Sequence, residues 1–244
     1  MTNFLKKKKI LLIITGGIAC YKVLDLIRRL QEKQVFIECI LTESAKKFIN
    51  IITFESLLGK KVYSNLFSLS EEKEMNHIKL ASDMDAIFVI PCTANFLGKM
   101  ANGIADDLAL NILLVSKGIK IIAPAMNTNM WSNIVVKKNL KFLSNMGVKI
   151  FSPVKGKLAC GSKGAGKLME INEIIDHLDD LFSPKDLTKV KIIITAGASI
   201  EKIDPVRFLS NFSSGIQGYE IAKSLSSLGA NITLISGKTN LEKP

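Results

Sequence analysis

The 244-residue sequence predicts a doubly wound α/β fold on a parallel sheet, Rossmann-like, followed by a partial second α/β nucleotide-binding unit. Three observations carry this. Short β-rich apolar runs alternate with amphipathic helical stretches through the first 183 residues. Several of those runs end in tips rich in Gly, Pro, Thr or Asn. A break at Ser183-Pro184-Lys185-Asp186 precedes a second, shorter series. Repeated βα units require parallel strands covered by helices on both faces.

Ile10–Thr15 reads as a buried strand, and Ile18–Glu32 as a helix with Val23, Leu26, Ile27 and Leu30 on one face. Val35–Leu41 is the second strand, followed by a helix from about Ser44 to Ile49. Ala86–Ile90 and Ile119–Ala123 are the third and fourth strands, with Ala94–Ser116 mostly helical between them. Asn129–Asn145 reads as one helix stopped by Gly147, Lys149–Phe151 as a short strand, and Asn172–Leu181 as a closing helix. Beyond the proline break, Val190–Ala196 is a strand, Gly215–Leu228 a helix and Asn231–Ser236 a strand. The expected division is residues 1–183, a linker at 184–189, and a second unit at 190–244.

Hydrophobic residues make up 48% of the chain, enough for a sizeable core. No apolar run is long enough to cross a bilayer, and glycines interrupt the short run after Lys6–Lys9 before it resembles a signal peptide. Cys20, Cys39, Cys92 and Cys160 have neither disulfide nor metal spacing, which predicts free thiols, no metal site and a cytoplasmic location. The formal net charge of +11 comes without aromatic–basic interleaving, so solvated lysines are expected and not a nucleic-acid partner.

The strand tips hold the chemistry. Thr15-Gly16-Gly17-Ile18-Ala19-Cys20-Tyr21-Lys22 joins the first strand to the first helix, where glycines allow close backbone approach and a helix start favours an anion. Thr42-Glu43-Ser44-Ala45 ends the second strand and Pro91-Cys92-Thr93-Ala94-Asn95 the third. Each alone reads as a helix cap. Three polar tips at successive strand ends point instead to a mononucleotide crevice. The fourth tip, Ala123-Pro124-Ala125-Met126-Asn127-Thr128-Asn129-Met130-Trp131, presents Asn127 at the carboxyl end of a strand, where ligands of open α/β sheets bind.

This Pro-Ala-Met-Asn segment resembles the substrate loop of the flavin-dependent cysteine decarboxylases. The resemblance is strongest to bifunctional coenzyme A biosynthesis proteins, in which a phosphopantothenoylcysteine decarboxylase precedes a phosphopantothenate–cysteine ligase. The same resemblance extends to His77-Ile78-Lys79-Leu80-Ala81, to Met100-Ala101-Asn102-Gly103-Ile104-Ala105-Asp106-Asp107-Leu108, and to the loop Leu158-Ala159-Cys160-Gly161-Ser162-Lys163-Gly164-Ala165-Gly166-Lys167. It implies a flavoprotein fold and FMN as cofactor, with Gly16, Gly17, Ile18 and Thr42 at the phosphate and Thr93, Ala94 and Asn95 near the ring system. Ala125, Met126, Asn127, Met130, Ala159 and Gly161 would contact substrate. The family's usual arginine is replaced by Lys167, which keeps the charge but loses the bidentate fork.

An N-acylcysteine has no carbonyl placed to accept the electron pair that departing CO2 leaves behind. The resemblance implies that the thiol-bearing carbon is oxidised first, its hydride equivalent passing to the flavin, so that a thioaldehyde serves as the sink. His77 would then be the base or electrostatic partner at the cysteine end, Asn127 the carboxylate holder, and Cys160 the proton donor of the last reduction. His177 lacks such a context and reads as structural.

The implied reaction converts 4′-phosphopantothenoylcysteine to 4′-phosphopantetheine, in a homo-oligomer (trimer or dodecamer). The segment Thr195–Phe208 with Ser210–Gly215 is similar to the start of the CTP-dependent ligase domain, with Asn211 on its catalytic asparagine. CTP and magnesium are expected only if a complete ligase domain is supplied, so ligation is not expected of this chain alone. The runner-up reading, a non-catalytic FMN-binding regulatory protein, is opposed by the joint presence of His77, Asn127 and Cys160. A flavin prenyltransferase is opposed by the Pro-Ala-Met-Asn and Ala-Cys-Gly segments.

Overall fold

The computed structural model describes residues 3–64, 80–159, 161 and 163–242. The chain divides into two compact units, residues 1–178 and 179–244. In the first, β1 (Lys9–Ile14), β2 (Phe36–Leu41), β3 (Ala86–Cys92), β4 (Ile119–Pro124) and β5 (Lys149–Ile150) form one sheet in the order β2-β1-β3-β4-β5, parallel at every pairing. Five of the six β1 residues and all seven of β3 are buried, as expected for strands covered on both faces. Strand order reverses between β1 and β3, which places a crevice at their carboxyl ends.

Alternate residues of these strands serve opposite layers. Leu11, Ile13, Ile87, Val89 and Ile122 cluster with Phe96 and Leu97 of α4 (Ala94–Ala101), Leu110 and Leu113 of α5 (Leu108–Val115), and Leu140 and Leu143 of α7 (Ile134–Asn145). α1 (Lys22–Glu32) buries Val23, Leu26, Ile27 and Leu30, the face read from its periodicity. α8 (Ile171–Phe182) buries Ile174, Ile175 and Leu178. Phe151 packs edge-on against Phe88 at 5.5 Å and lies 5.3 Å from the ring of His177. That histidine is a packing residue.

Three local features differ from the periodicity-based reading. The stretch after Thr42 is two helices, α2 (Glu43–Lys46) and α3 (Ile51–Leu58). α3 is capped by Asn50 Oδ1 on Ile52 N–H and ended by Gly59 at φ 68°. The long helix expected at 129–145 is broken into α6 (Thr128–Ser132) and α7, because Asn133 leaves helical geometry to cap Val135 N–H. The stretch from Leu158, expected as a glycine-rich loop, instead supplies β7 (Lys163–Lys167), which pairs antiparallel with β6 (Val154–Lys157) in a hairpin.

The second unit pairs β8 (Lys191–Ala196) with β11 (Asn231–Ser236) in parallel through α9 (Ile216–Ser227), as expected. It adds a small hairpin of β9 (Ile200–Lys202) and β10 (Phe208–Ser210). No helix among the described residues is long and apolar enough to cross a membrane.

Candidate active site

Thr15 joins the two central strand tips. Its buried hydroxyl donates to the Pro91 carbonyl at 2.6 Å and accepts from Thr93 N–H at 3.2 Å. The Cys20 thiol donates to the Thr15 carbonyl at 3.0 Å, drawing the next turn onto the same point. Thr93 then caps α4 through Phe96 N–H. The β1–α1 turn and the β3–α4 turn are therefore held side by side at the strand-order reversal.

A cavity of about 820 Å³ opens there, within the range of ligand pockets. It is lined by Gly16, Gly17 and Ile18 from the first tip, Thr93, Ala94 and Asn95 from the third, and Ala125, Met126, Asn127 and Met130 from the fourth. Ala159 and Leu158 add a wall from the β6–β7 hairpin. The lining is mostly apolar, with a few polar side chains. That pattern suits a flat aromatic ligand with a polar tail.

The two glycines of the first tip serve different ends. A Cβ on Gly16 would lie 2.6 Å from Ser44 Cβ and 2.7 Å from Ser44 C, so the bare residue lets the second strand tip approach. A Cβ on Gly17 would meet only Thr93 Cγ2, at 3.9 Å. Gly17 is extended, at φ −177°, and opens onto the cavity.

Asn127 caps α6 by accepting from Asn129 N–H at 2.9 Å through Oδ1. The cap turns Oδ1 toward the start of α6 and fixes the amide at the cavity lining. The β7 strand is seated directly on this loop. Met126 N–H donates to the Gly166 carbonyl at 3.0 Å, and Gly166 holds φ 135°. A Cβ on Gly166 would lie 2.2 Å from the Met126 carbonyl, and one on Gly164 would lie 2.4 Å from Thr128 Oγ1. That Thr128 oxygen is buried and has no hydrogen-bond partner among the described residues.

A smaller depression of about 350 Å³ shares Ser44, Thr93 and Asn95 with the main cavity. Thr42 lines this depression and not the main cavity. Its hydroxyl donates to the Ile14 carbonyl at 3.1 Å and accepts from Ala45 N–H at 3.3 Å as the α2 cap. Asp107 lies on the same side and caps α5 through Leu110 N–H at 2.8 Å; burial pushes its carboxyl above the usual range.

The flavoprotein family model matches residues 2–183, well over half of the chain. The chain belongs to the flavoprotein family. Residues 187–244 of this flavoprotein match the DNA/pantothenate metabolism flavoprotein C-terminal domain. It is 40% identical to the coenzyme A biosynthesis bifunctional protein CoaBC of Vibrio vulnificus and 38% identical to that of Escherichia coli, each across 97% of this chain and 59% of the relative. The chain thus spans about three fifths of the length of these curated relatives.

Among solved structures, a cysteine-to-serine mutant of PPC decarboxylase complexed with pantothenoylaminoethenethiol is 28% identical, with TM-score 0.61. It covers 71% of this chain and 97% of that chain. A histidine-to-asparagine mutant of EpiD complexed with a substrate peptide is 27% identical, with TM-score 0.58, covering 70% and 97%.

The rim of the flavoprotein's cavity carries an ion cluster in which Lys167, standing where the family has arginine, meets a carboxylate that the motifs did not indicate. Glu170 receives Lys167 Nζ at 2.6 Å and Lys22 Nζ at 3.2 Å, and both lysines line the cavity. The hydrogen bonds from Lys167 and then Lys22 hold the Glu170 carboxyl below the usual carboxylate range, and Glu170 in turn raises Lys167.

Tyr21, Lys22, Ser44, Lys157 and Leu158 also line the cavity, beyond the residues singled out from the sequence. Tyr21 and Lys22 lie within the quoted first-tip segment. Lys157 and Leu158 reach the cavity only through the hairpin, which periodicity did not disclose.

His77 and Cys160 lie outside the described residues. Gly161 is exposed at φ 84° in the hairpin turn, its N–H donating to the Leu158 carbonyl at 2.9 Å, away from the cavity lining. The buried thiols of Cys39 and Cys92 are pushed well up by desolvation, which makes them inert. Among the described residues no group of three or more His, Cys, Asp or Glu is arranged to hold a metal. In the second unit Asn211 is exposed, and its Oδ1 accepts from Ser213 N–H at 2.9 Å.

Proposed function

We propose that this flavoprotein binds FMN and decarboxylates 4′-phosphopantothenoylcysteine to 4′-phosphopantetheine, a step of coenzyme A assembly. One observation carries the reading. A single cavity at the β1/β3 reversal is lined together by the Gly16-Gly17-Ile18 turn, the Thr93-Ala94-Asn95 tip and the Ala125-Met126-Asn127 loop. The identity with CoaBC proteins across 97% of the chain and the likeness to a PPC decarboxylase support the same assignment.

When bound, FMN supplies the reversible oxidation that makes loss of CO2 possible. The chain's own residues bind and orient. The Gly17 and Ile18 backbone at the start of the first helical turn suits the phosphate. Thr93 and Asn95 border the ring system, with Met126 and Met130 giving an apolar wall. Thr42 lines the adjoining depression, where its hydroxyl is engaged with the Ile14 carbonyl and the Ala45 N–H, so the phosphate is left to the first tip. Asn127, its Oδ1 engaged in the cap, donates from Nδ2 to the substrate carboxylate and orients the bond that breaks.

His77 is assigned as the base at the cysteine end and Cys160 as the last proton donor, with Ala159, which lines the cavity, at the substrate; Gly161 lies outside that lining, and the roles of His77 and Cys160 rest on motif order. A cytoplasmic homo-oligomer, trimer or dodecamer, is the assembly proposed. CTP and magnesium, with Asn211, belong to the reading only where a complete ligase domain is present.

The test is anaerobic incubation of the FMN-loaded chain with phosphopantothenoylcysteine. Release of CO2 by wild type and its loss in His77→Asn are expected, and Cys160→Ser should accumulate a decarboxylated, still oxidised thiol product. A wild-type chain that binds FMN but releases no CO2 would sink the enzyme reading in favour of a non-catalytic flavin-binding protein.

A further inference from the structure

The ends of three elements meet at Glu170. Lys22 is the first residue of α1, Lys167 the last of β7, and Glu170 directly precedes α8. The Glu170 backbone is fixed, because its carbonyl accepts from Ile174 N–H at 3.0 Å in the first turn of α8. A second strap, Arg29 Nη1 to Asn172 Oδ1 at 2.5 Å, ties α1 to the same turn. The carboxylate thus stands on a rigid base, while its two partners are long, flexible stems that border the cavity.

Pairs this exposed add little to stability, so what the cluster provides is aim. A free lysine samples many rotamers, and ordering it on ligand binding weakens affinity. Here two ammonium groups are already gathered at the cavity rim by one carboxylate, and the three charges leave one net positive charge. That surplus suits an anionic substrate at the rim.

We infer that Glu170 is a positioning residue, which acts through Lys22 and Lys167 to hold one net positive charge at the cavity rim for the anionic substrate and to anchor the end of β7. The inference rests on the decarboxylase reading for the identity of the anion, and on the ion cluster alone for the anchoring of β7. Glu170 need not touch substrate. Its neutral isostere leaves both lysines present but unaimed.

The experiment compares the FMN-loaded wild type with Glu170→Gln in two ways. Steady-state decarboxylation of phosphopantothenoylcysteine should show KM raised about five- to tenfold with kcat within about twofold, the pattern of lost ground-state binding. Trypsin should cut after Lys163 and Lys167 several-fold faster in the variant, at unchanged flavin absorbance. A lowered or unchanged KM, as expected if Glu170 merely competes with substrate for the lysines or only decorates the surface, would overturn the inference. So would an unchanged cleavage rate. If wild type releases no CO2, the functional reading fails separately, and the cleavage comparison alone decides whether Glu170 anchors β7.

Discussion

The Thr15 hydroxyl and the Pro91 carbonyl, 2.6 Å apart, bind the tips of two adjacent parallel strands at the point where strand order reverses. The same oxygen accepts from Thr93 N–H, so one buried side chain satisfies two backbone groups of the cavity wall. Thr15→Val keeps the shape and strands both groups. Unfolding in denaturant should show a loss of about 2–4 kcal/mol, and flavin affinity should fall with it. A variant as stable as wild type would remove Thr15 from this role.

Gly16 and Gly17 should respond differently to alanine. At Gly16 the new methyl collides with Ser44 backbone, so about 1–3 kcal/mol of stability is expected to go. At Gly17 there is room for the methyl in the protein itself. Gly17→Ala should fold normally and bind FMN at least tenfold more weakly, read by flavin fluorescence quenching.

Asn127 combines a structural and a proposed chemical task that substitution can separate. Asn127→Ser retains a cap for α6 and removes the amide donor. Its stability should stay within about 0.5 kcal/mol, while kcat/KM falls about 10- to 100-fold, the equivalent of one lost bond to a charged group at about 1.5–3 kcal/mol. Asn127→Ala should lose about 1 kcal/mol more of stability. Equal kcat/KM for wild type and serine variant would remove Asn127 from carboxylate binding.

The Glu170 cluster also predicts a pH dependence. The folded-state pKa of Glu170 is lowered, so its contribution is present above the ordinary value near 4.5 and is lost as pH falls through the lower folded value. Lys167 is raised, so its share holds below 10.5 and disappears as pH climbs past the raised value. The thermal stability difference between wild type and Glu170→Gln, small for pairs this exposed, should therefore be flat through neutral pH and close at both extremes. A difference unchanged at pH 3 would contradict the ion-pair account.

The strands and their polar tips were legible because each apolar run is local and ends in residues with one conformational use. Thr15-Gly16-Gly17 and Pro91-Cys92-Thr93 signal a strand end without any distant partner. The two-helix split at Asn133 was not legible from periodicity, since no glycine or proline marks it. Its sign was an asparagine able to cap, the device that Asn50 also uses before α3. The β6–β7 hairpin was hidden for another reason. Its Gly and Lys residues have no alternating apolar face, and its seat is the Met126–Thr128 backbone, some forty positions away in sequence. Lys22 and Glu170 escaped notice likewise, because 148 residues separate a pair that only the fold unites.

Two bare positions in β7 also hold that strand to a single register. Gly164 and Gly166 face the Met126–Thr128 segment at spacings that admit no side chain, with Ala165 between them on the other face of the strand. Lengthening the turn before β7 would leave that seam untouched. A one-residue slip within β7 would instead drive a methyl or a lysine stem into it. Insertion or deletion inside β7 is therefore expected to unseat the hairpin from the loop that carries Asn127, and with it one wall of the cavity.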